Sequence, residues 1–376
     1  MLSIYIHVPF CVKKCLYCGF SSTAYSPELV EAYLAGLRRE AEQVKRTLHH
    51  DGVQTLYIGG GTPTCLSTEY LTELLRIARE MVPIRQETEW TVEANPQFLS
   101  ETVLALLRAQ GVNRLSIGVQ SLDDRHLKTL GRIHSASEAA AAVDQARRAG
   151  FRNISVDLIY GIPGQDAASW NETLKHIITL GPEHIAVYAL SLDEGSAFKR
   201  MADEGALRVP DDDAVAHLYE RAVESLTRRG YRQYELSNFS RPGFECSHNM
   251  NYWERGEYVG LGPGAWSFRA GMRSCNCADI VQYSGRLSAG LSPREENDVI
   301  SADEAAREYL MLRLRTSSGL DLSAYRRLHG DGAYGHLMDT ISKADPHGLF
   351  TMHGDHICLT GRGKLLADQV ILQLCA

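Results

Sequence analysis

The stretch Tyr5-Ile6-His7-Val8-Pro9-Phe10-Cys11-Val12-Lys13-Lys14-Cys15-Leu16-Tyr17-Cys18 decides how the rest of this chain is read. A short β-branched run leads directly into three cysteines spaced C-x3-C-x2-C, so a loop leaving a strand would gather three thiolates around one point. Thiolates are soft ligands. Three on one tight loop, with no fourth nearby in sequence, suit an iron-sulfur cluster that keeps one iron for a non-protein ligand. A structural zinc site is normally closed by four residues, and no second C-x2-C or His pair follows here. A zinc knuckle completed from a distant residue and three ordinary cysteines stay open as alternatives.

Composition narrows the setting. The chain has 376 residues, 44% hydrophobic and 23% charged, enough for a barrel-sized domain and a smaller one with little extended disorder. A formal net charge of -7 argues against a general nucleic-acid binder. No apolar run reaches the roughly 20 residues of a membrane span. Lys13 and Lys14 follow the first apolar segment instead of preceding it, unlike a signal peptide. Nine cysteines, an odd number scattered over a long chain, fit reduced thiols better than a disulfide framework. The expectation is a cytoplasmic protein without stable membrane insertion.

Moving outward from the cysteines, short β-like runs alternate with longer amphipathic stretches, the pattern of successive βα units on a parallel sheet. Six strands are expected, at Ile4–His7, Leu56–Gly59, Trp90–Ala94, Arg114–Val119, Ile154–Leu158 and His184–Leu190. Helical periodicity marks Pro27–Leu48 and, after the N-cap Ser100, Glu101–Ala109, with Gly111 and Gly150 as helix-ending glycines. Six units are two short of a closed eight-fold barrel, so spacing alone predicts an open α/β sheet or partial barrel with its active face at the carboxyl ends of the strands. Residues 1–233 form that unit. Residues 234–300, rich in aromatics and glycines, form a connecting region. Residues 301–376 return to helices at Asp303–Leu314 and Tyr334–Ser342, a hairpin around Gly354, and a closing helix Gly363–Leu374, a small α+β winged-helix-like module.

The cysteine spacing, with an aromatic residue just before the third cysteine, resembles the radical S-adenosylmethionine (radical SAM) superfamily. The resemblance implies a 4Fe-4S cluster on Cys11, Cys15 and Cys18 whose remaining iron is chelated by SAM, and reductive cleavage of SAM to a 5'-deoxyadenosyl radical. It also assigns residues. Gly59, Gly60, Gly61 and Thr62 follow an apolar strand and let backbone approach a ligand; in the superfamily this segment meets the amino group of SAM. Glu93 ends an apolar strand where an unpaired carboxylate is costly, so a cationic partner is expected and the methionine ammonium would serve. Arg132 is placed to hold a carboxylate through a two-donor fork. Gln120 and Asp157 are candidates for the ribose hydroxyls, Tyr17 for the adenine, Ala189 for a backbone contact, and Tyr5 joins the same cofactor-binding set.

A narrower resemblance covers nearly the whole chain. Tyr5 to Cys11, Gly59 to Pro63, Glu93 to Pro96, Gly118 to Ser121, Leu130 to His134 and Asp157 to Pro163 are together similar to the oxygen-independent coproporphyrinogen oxidase family. The oxidase branch carries a further cysteine where this chain has Phe20. By contrast His248-Asn249-Met250-Asn251-Tyr252-Trp253 resembles the H-N-x-x-Y-W motif of the HemW-type heme chaperone branch, as does the segment Leu359–Ala367. That branch implies binding of heme and its transfer to client heme proteins, with an electron donor for the cluster. His248 is the first candidate axial ligand, with Tyr252 and Trp253 covering the macrocycle, and His7 is a second. The alternatives are decarboxylation of coproporphyrinogen III and SAM-dependent methyl transfer. The chain departs from the HemW-type pattern at Gly19, where Asp is frequent, and at Trp266, where His is common in G-x-G-A-H.

Overall fold

The computed structural model describes residues 2–48, 52–344 and 348–375; the expected domain limits at Met1 and Ala376 lie outside them. All six expected strands form, at Leu2–Val8, Thr55–Gly60, Glu89–Ala94, Arg114–Gln120, Ile154–Tyr160 and His184–Ala189, parallel and side by side in chain order. Helices between them cover the outer face. Pro27–Thr47 starts on the side chain of Ser26 with Pro27 in its first turn, where the missing N–H costs nothing. Glu101–Gln110 starts on Ser100 and ends at Gly111, which turns the chain with a left-handed φ of 102°.

Side chains along these strands alternate in an unusual sense. Ile4, Ile6, Leu56, Ile58, Trp90, Val92, Leu115, Ile117, Ile154, Val156, Ile185 and Val187 are buried in one core shared with the helices. The residues between them point the other way and are largely polar: Ser3, Tyr5, Thr55, Tyr57, Thr91, Glu93, Arg114, Ser116, Ser155, Asp157 and His184. Period-2 alternation on a parallel sheet thus separates a helix-packed outside from a polar inside. Five of the strands and the cysteine loop line one cavity, which requires the sheet to curl into a partial barrel.

Residues 234–300 do more than connect. Together with the short strand Arg232–Gln233 they extend the sheet at both edges to twelve strands. Asn238–Ser240 pairs antiparallel with the sixth barrel strand. Glu257–Leu261 pairs parallel with the first and is followed by Trp266–Arg269, Met272–Asn276 and Arg294–Val299. Between these edge strands, helix Ser247–Trp253 closes the base of the barrel, its first N–H groups donated to Glu89 at the start of the third strand.

The C-terminal part has its own core. Helix Ala302–Leu314, strand Leu320–Asp321, a helical stretch Leu322–Ala344 broken at Gly330, and hairpin strands Phe350–His353 and His356–Leu359 follow one another. The order is that of the expected winged-helix-like module, but two boundaries differ. The expected Tyr334–Ser342 helix is the second half of the stretch divided at Gly330, whose φ of 86° breaks helical geometry. The single closing helix is two, Gly361–Leu365, capped by Thr360, and Ala367–Cys375, divided at Leu366, whose φ of -114° and ψ of 24° leave helical geometry.

Candidate functional site

The carboxyl ends of the barrel strands surround a cavity of about 400 Å³. The cysteine loop forms one wall. Phe10–Cys11 pairs parallel with Thr23–Ala24, which closes residues 12–22 into a compact loop. Leu16 is pinned from both sides, its N–H donating to Leu130 O at 3.1 Å and its carbonyl accepting from Phe198 N at 2.9 Å. Cys11, Cys15 and Cys18 all line the cavity.

The glycine segment is laced to the same loop. Gly61 N donates to Val8 O and Thr62 N to Phe10 O, each at 2.8 Å. No side chain fits at these positions: a Cβ on Gly61 would lie 2.4 Å from Phe10 O, and one on Gly60 would lie 2.3 Å from His7 Nδ1, at a φ of 107°. Thr62 Oγ1 accepts from Asn95 Nδ2 at 3.0 Å and faces Cys11 Sγ at 3.7 Å.

Arg132 is committed to the loop. Its guanidinium donates to Asn95 Oδ1 at 2.6 Å, to Gly118 O at 2.7 Å and to Cys15 Sγ at 3.4 Å. The expected role as a free carboxylate fork is therefore narrowed, because most of the donors already hold the strand ends and Cys15 together. Burial pushes the Cys11 and Cys18 thiols above the usual range, so a metal taken up here must displace their protons.

The opposite wall carries two carboxylates held by neutral donors. Tyr57 OH donates to Glu93 Oε1 at 2.7 Å and Gly60 N to Oε2 at 3.0 Å. Ser116 OH donates to Asp157 Oδ1 at 3.2 Å. Burial raises both carboxyls, Asp157 to about 7. Arg114 beneath them has an Nε without a hydrogen-bond partner among the described residues. Gln120 completes the rim at the bulge between the fourth and fifth strands, with a positive φ of 65° that costs a non-glycine residue energy. Tyr17, Ala189 and Tyr188 close the remaining side.

Of the expected residues, Cys11, Cys15, Cys18, Tyr17, Gly60, Gly61, Thr62, Glu93, Gln120, Arg132, Asp157 and Ala189 therefore meet in one cavity. Two stand apart. Tyr5 shares a hydrogen bond of 3.0 Å with His7 Nδ1 and faces a second cleft. His248 lies in the base helix, 2% exposed, with Nδ1 2.7 Å from Thr55 Oγ1 and Nε2 2.9 Å from Tyr252 OH. The Thr55 hydroxyl donates to Ser3 Oγ at 2.8 Å, which assigns Nδ1–H of His248 as donor to Thr55 and leaves Nε2 accepting from Tyr252. The ring also stacks on Tyr57 at 4.9 Å, and burial lowers it to about 3. An axial ligand needs a ring nitrogen open to iron. Both ring nitrogens of His248 are engaged in these hydrogen bonds, and its ring packs on Tyr57, which in turn holds Glu93.

Sequence reading gave no role to Asn95, Arg114, Ser116 or Asn249, all in the cavity wall. The signal available for Arg114 and Ser116 was a polar residue at every second position of an otherwise apolar strand. The departure at Gly19 is explained by Asp193, whose Oδ2 would lie 2.8 Å from a Cβ there.

The cysteine loop, the glycine segment and the curled six-stranded sheet define a radical SAM protein. A family model for the radical SAM superfamily matches residues 5–177, and one for the HemN C-terminal domain matches residues 300–366. Coproporphyrinogen III oxidase (HemN) from Escherichia coli, described as a radical SAM enzyme, superposes with a TM-score of 0.86 at 24% identity, covering 100% of this chain and 90% of that one, which shows the shared fold. Among curated relatives, the heme chaperone HemW of Mycobacterium tuberculosis (strain H37Rv) is 37% identical over 99% of this chain and 94% of its own length. The heme chaperone HemW of Bacillus subtilis (strain 168) is 33% identical over 98% of both. The chain belongs to the HemW family.

Proposed function

We propose that this protein is a heme chaperone that holds a 4Fe-4S cluster on Cys11, Cys15 and Cys18, binds SAM in the adjoining cavity, and passes heme to client heme proteins. The observation that carries the reading is the joining of three thiols, a side-chain-free glycine segment and two buried carboxylates in one cavity. Among the described residues no three or more His, Cys, Asp or Glu side chains converge on a single ion. A cubane asks for one thiolate at each of three iron corners, and a loop that spreads its cysteines along a cavity wall fits that demand. When bound, the cluster supplies one electron at low potential to its ligand.

The protein's own groups do the rest. Glu93, held by Tyr57 and Gly60, offers a carboxylate to the SAM ammonium, and an ion pair there would offset the desolvation that raises it. Asp157 and Gln120 offer acceptors to a vicinal diol, Tyr17 a ring face, and Arg132 steadies Cys15. An electron donor is required for the cluster, and the cytoplasm is the compartment in which thiols stay reduced. No helix among the described residues is long and apolar enough to cross a membrane.

Anaerobic titration of cluster-reconstituted protein with heme, followed by the Soret band, tests the reading together with equilibrium dialysis of SAM. Saturable binding of both is expected. Formation of protoporphyrinogen from coproporphyrinogen III would replace chaperone by oxidase; Phe20, where that branch has a cysteine, speaks against it.

A further inference from the structure

A second cleft, of about 320 Å³, opens on the other side of the first strand. Its lining comes from two regions far apart in sequence, the N-terminal strand with the cysteine loop and residues 252–266. His7 enters from the first strand, Tyr252 from the base helix, and Tyr258 and Trp266 from the strands added at the sheet edge. Glycine makes the gathering possible. Gly260 stands opposite Tyr5 in the parallel pair, and a Cβ there would lie 2.1 Å from the Trp266 carbonyl.

The walls are flat and firm. Tyr252 and Tyr258 pack edge to face at 4.8 Å, and Tyr252 OH is tied to His248. Trp266 is 42% exposed and Phe20, at the lip shared with the cluster cavity, 68% exposed. Large apolar rings left open to water beside a cleft mark a place where an apolar ligand sits. Positive charge stands at the same lip, where Lys14 Nζ donates to Phe20 O at 3.1 Å. An apolar disc carrying carboxylates on one edge complements that arrangement.

His7 has the features of a ligand that His248 lacks. Nδ1 is oriented by Tyr5 OH, whereas Nε2 makes only a 3.3 Å contact with the exposed Ser21 carbonyl. Burial lowers its pKa, so the ring is neutral at physiological pH. We propose that this cleft is the heme site, with His7 Nε2 as axial ligand, Trp266 and Tyr258 against the macrocycle, and Lys14 toward its propionates. The proposal rests on the chaperone reading above and names where that reading places its cargo. Ligation requires the Nδ1–H tautomer: the imidazole proton leaves Nε2 for Nδ1, which then donates to the Tyr5 oxygen while the Tyr5 hydroxyl hydrogen rotates off Nδ1, and the Ser21 carbonyl is left to solvent; no electron is transferred. A shallow cleft covers part of the macrocycle and leaves an edge exposed for a client.

Ferric heme titrated into the cluster-reconstituted full chain, followed by Soret absorption and EPR, tests it. The wild type is expected to show an imidazole-ligated heme. His7→Gln should lose that signature and weaken binding about tenfold or more. Trp266→His changes a half-exposed residue, so the fold survives, and should supply a second imidazole that converts the heme to six-coordinate low spin. An unchanged spectrum in His7→Gln or Trp266→His overturns the assignment while leaving the chaperone reading intact. Absence of heme binding by the wild type overturns both.

Discussion

The two ends of the barrel are built from the same inward-facing strand positions, yet they treat polar groups in opposite ways. At the base, Glu89 accepts from Ser247 N at 3.1 Å and His248 N at 3.0 Å, Thr55 links Ser3 to His248, and His248 uses both ring nitrogens. At the rim, Glu93 and Asp157 have only neutral donors, and burial holds the thiols of Cys11 and Cys18 above their usual range. Buried polar groups are ordinarily paired. The carboxylate at the base accepts from the backbone of a helix start, whereas the rim buries two carboxylates on neutral donors alone, a setting that a cationic or polar ligand would complete.

Changes at the rim should accordingly remove ligands, and changes at the base should remove stability. The largest effect is expected for Cys15→Ala, which leaves the cluster without one of its three corners: iron and sulfide content after reconstitution, and the Mössbauer cubane signal, should fall to background. Glu93→Gln should raise the SAM dissociation constant at least about tenfold, since a charge-assisted contact to the ammonium is worth about 1.5–3 kcal/mol. The same change should leave the ligand-free protein as stable or more so, because a buried charge is lost. Equilibrium dialysis and thermal melting separate the two.

Asp157 provides a pH test. Its folded carboxyl titrates near 7 whereas an unfolded one titrates near its ordinary value of 3.8. Between those values the folded state binds more protons, so this group's contribution to stability falls as pH rises from about 4 to about 7 and is flat above. Asp157→Asn should remove that slope, stabilising ligand-free protein at pH 8 relative to wild type by a few kcal/mol at most, as read from urea unfolding at pH 5 and pH 8. At the base, Glu89→Gln should cost about 1–2 kcal/mol in the same assay through weakened capping of helix Ser247–Trp253, with little change in SAM affinity. The smallest expected effect is that of Tyr57→Phe, which keeps the stack on His248 but drops the hydroxyl on Glu93. A few-fold loss of SAM affinity is expected, and no loss would uncouple the base from the rim.

Much of the site could be read in the chain because its residues lie at strand ends, where local pattern and function coincide. The cysteine spacing, the glycines after the second strand, Glu93 and Asp157 each lie on or just after a β-like run, and a parallel βα series must bring such ends to one rim. Helix starts at Ser26 and Ser100 were readable for a similar reason, since capping depends on neighbours within one turn. The role of residues 234–300 was not, because strand pairing at a sheet edge is decided by register between distant segments. Nor was the role of His248. His-Asn followed by aromatics is compatible with a ligand or with a pinned turn, and only the positions of Thr55, Tyr252 and Tyr57 around the ring choose between them. The sequence by itself thus determined the order of the βα units and the soft ligands at their mouth, since both are written in local spacing. Which polar residues are satisfied and which are left for a ligand was decided by the tertiary structure alone, because a hydrogen bond exists only where two side chains from separate strands meet at about 3 Å.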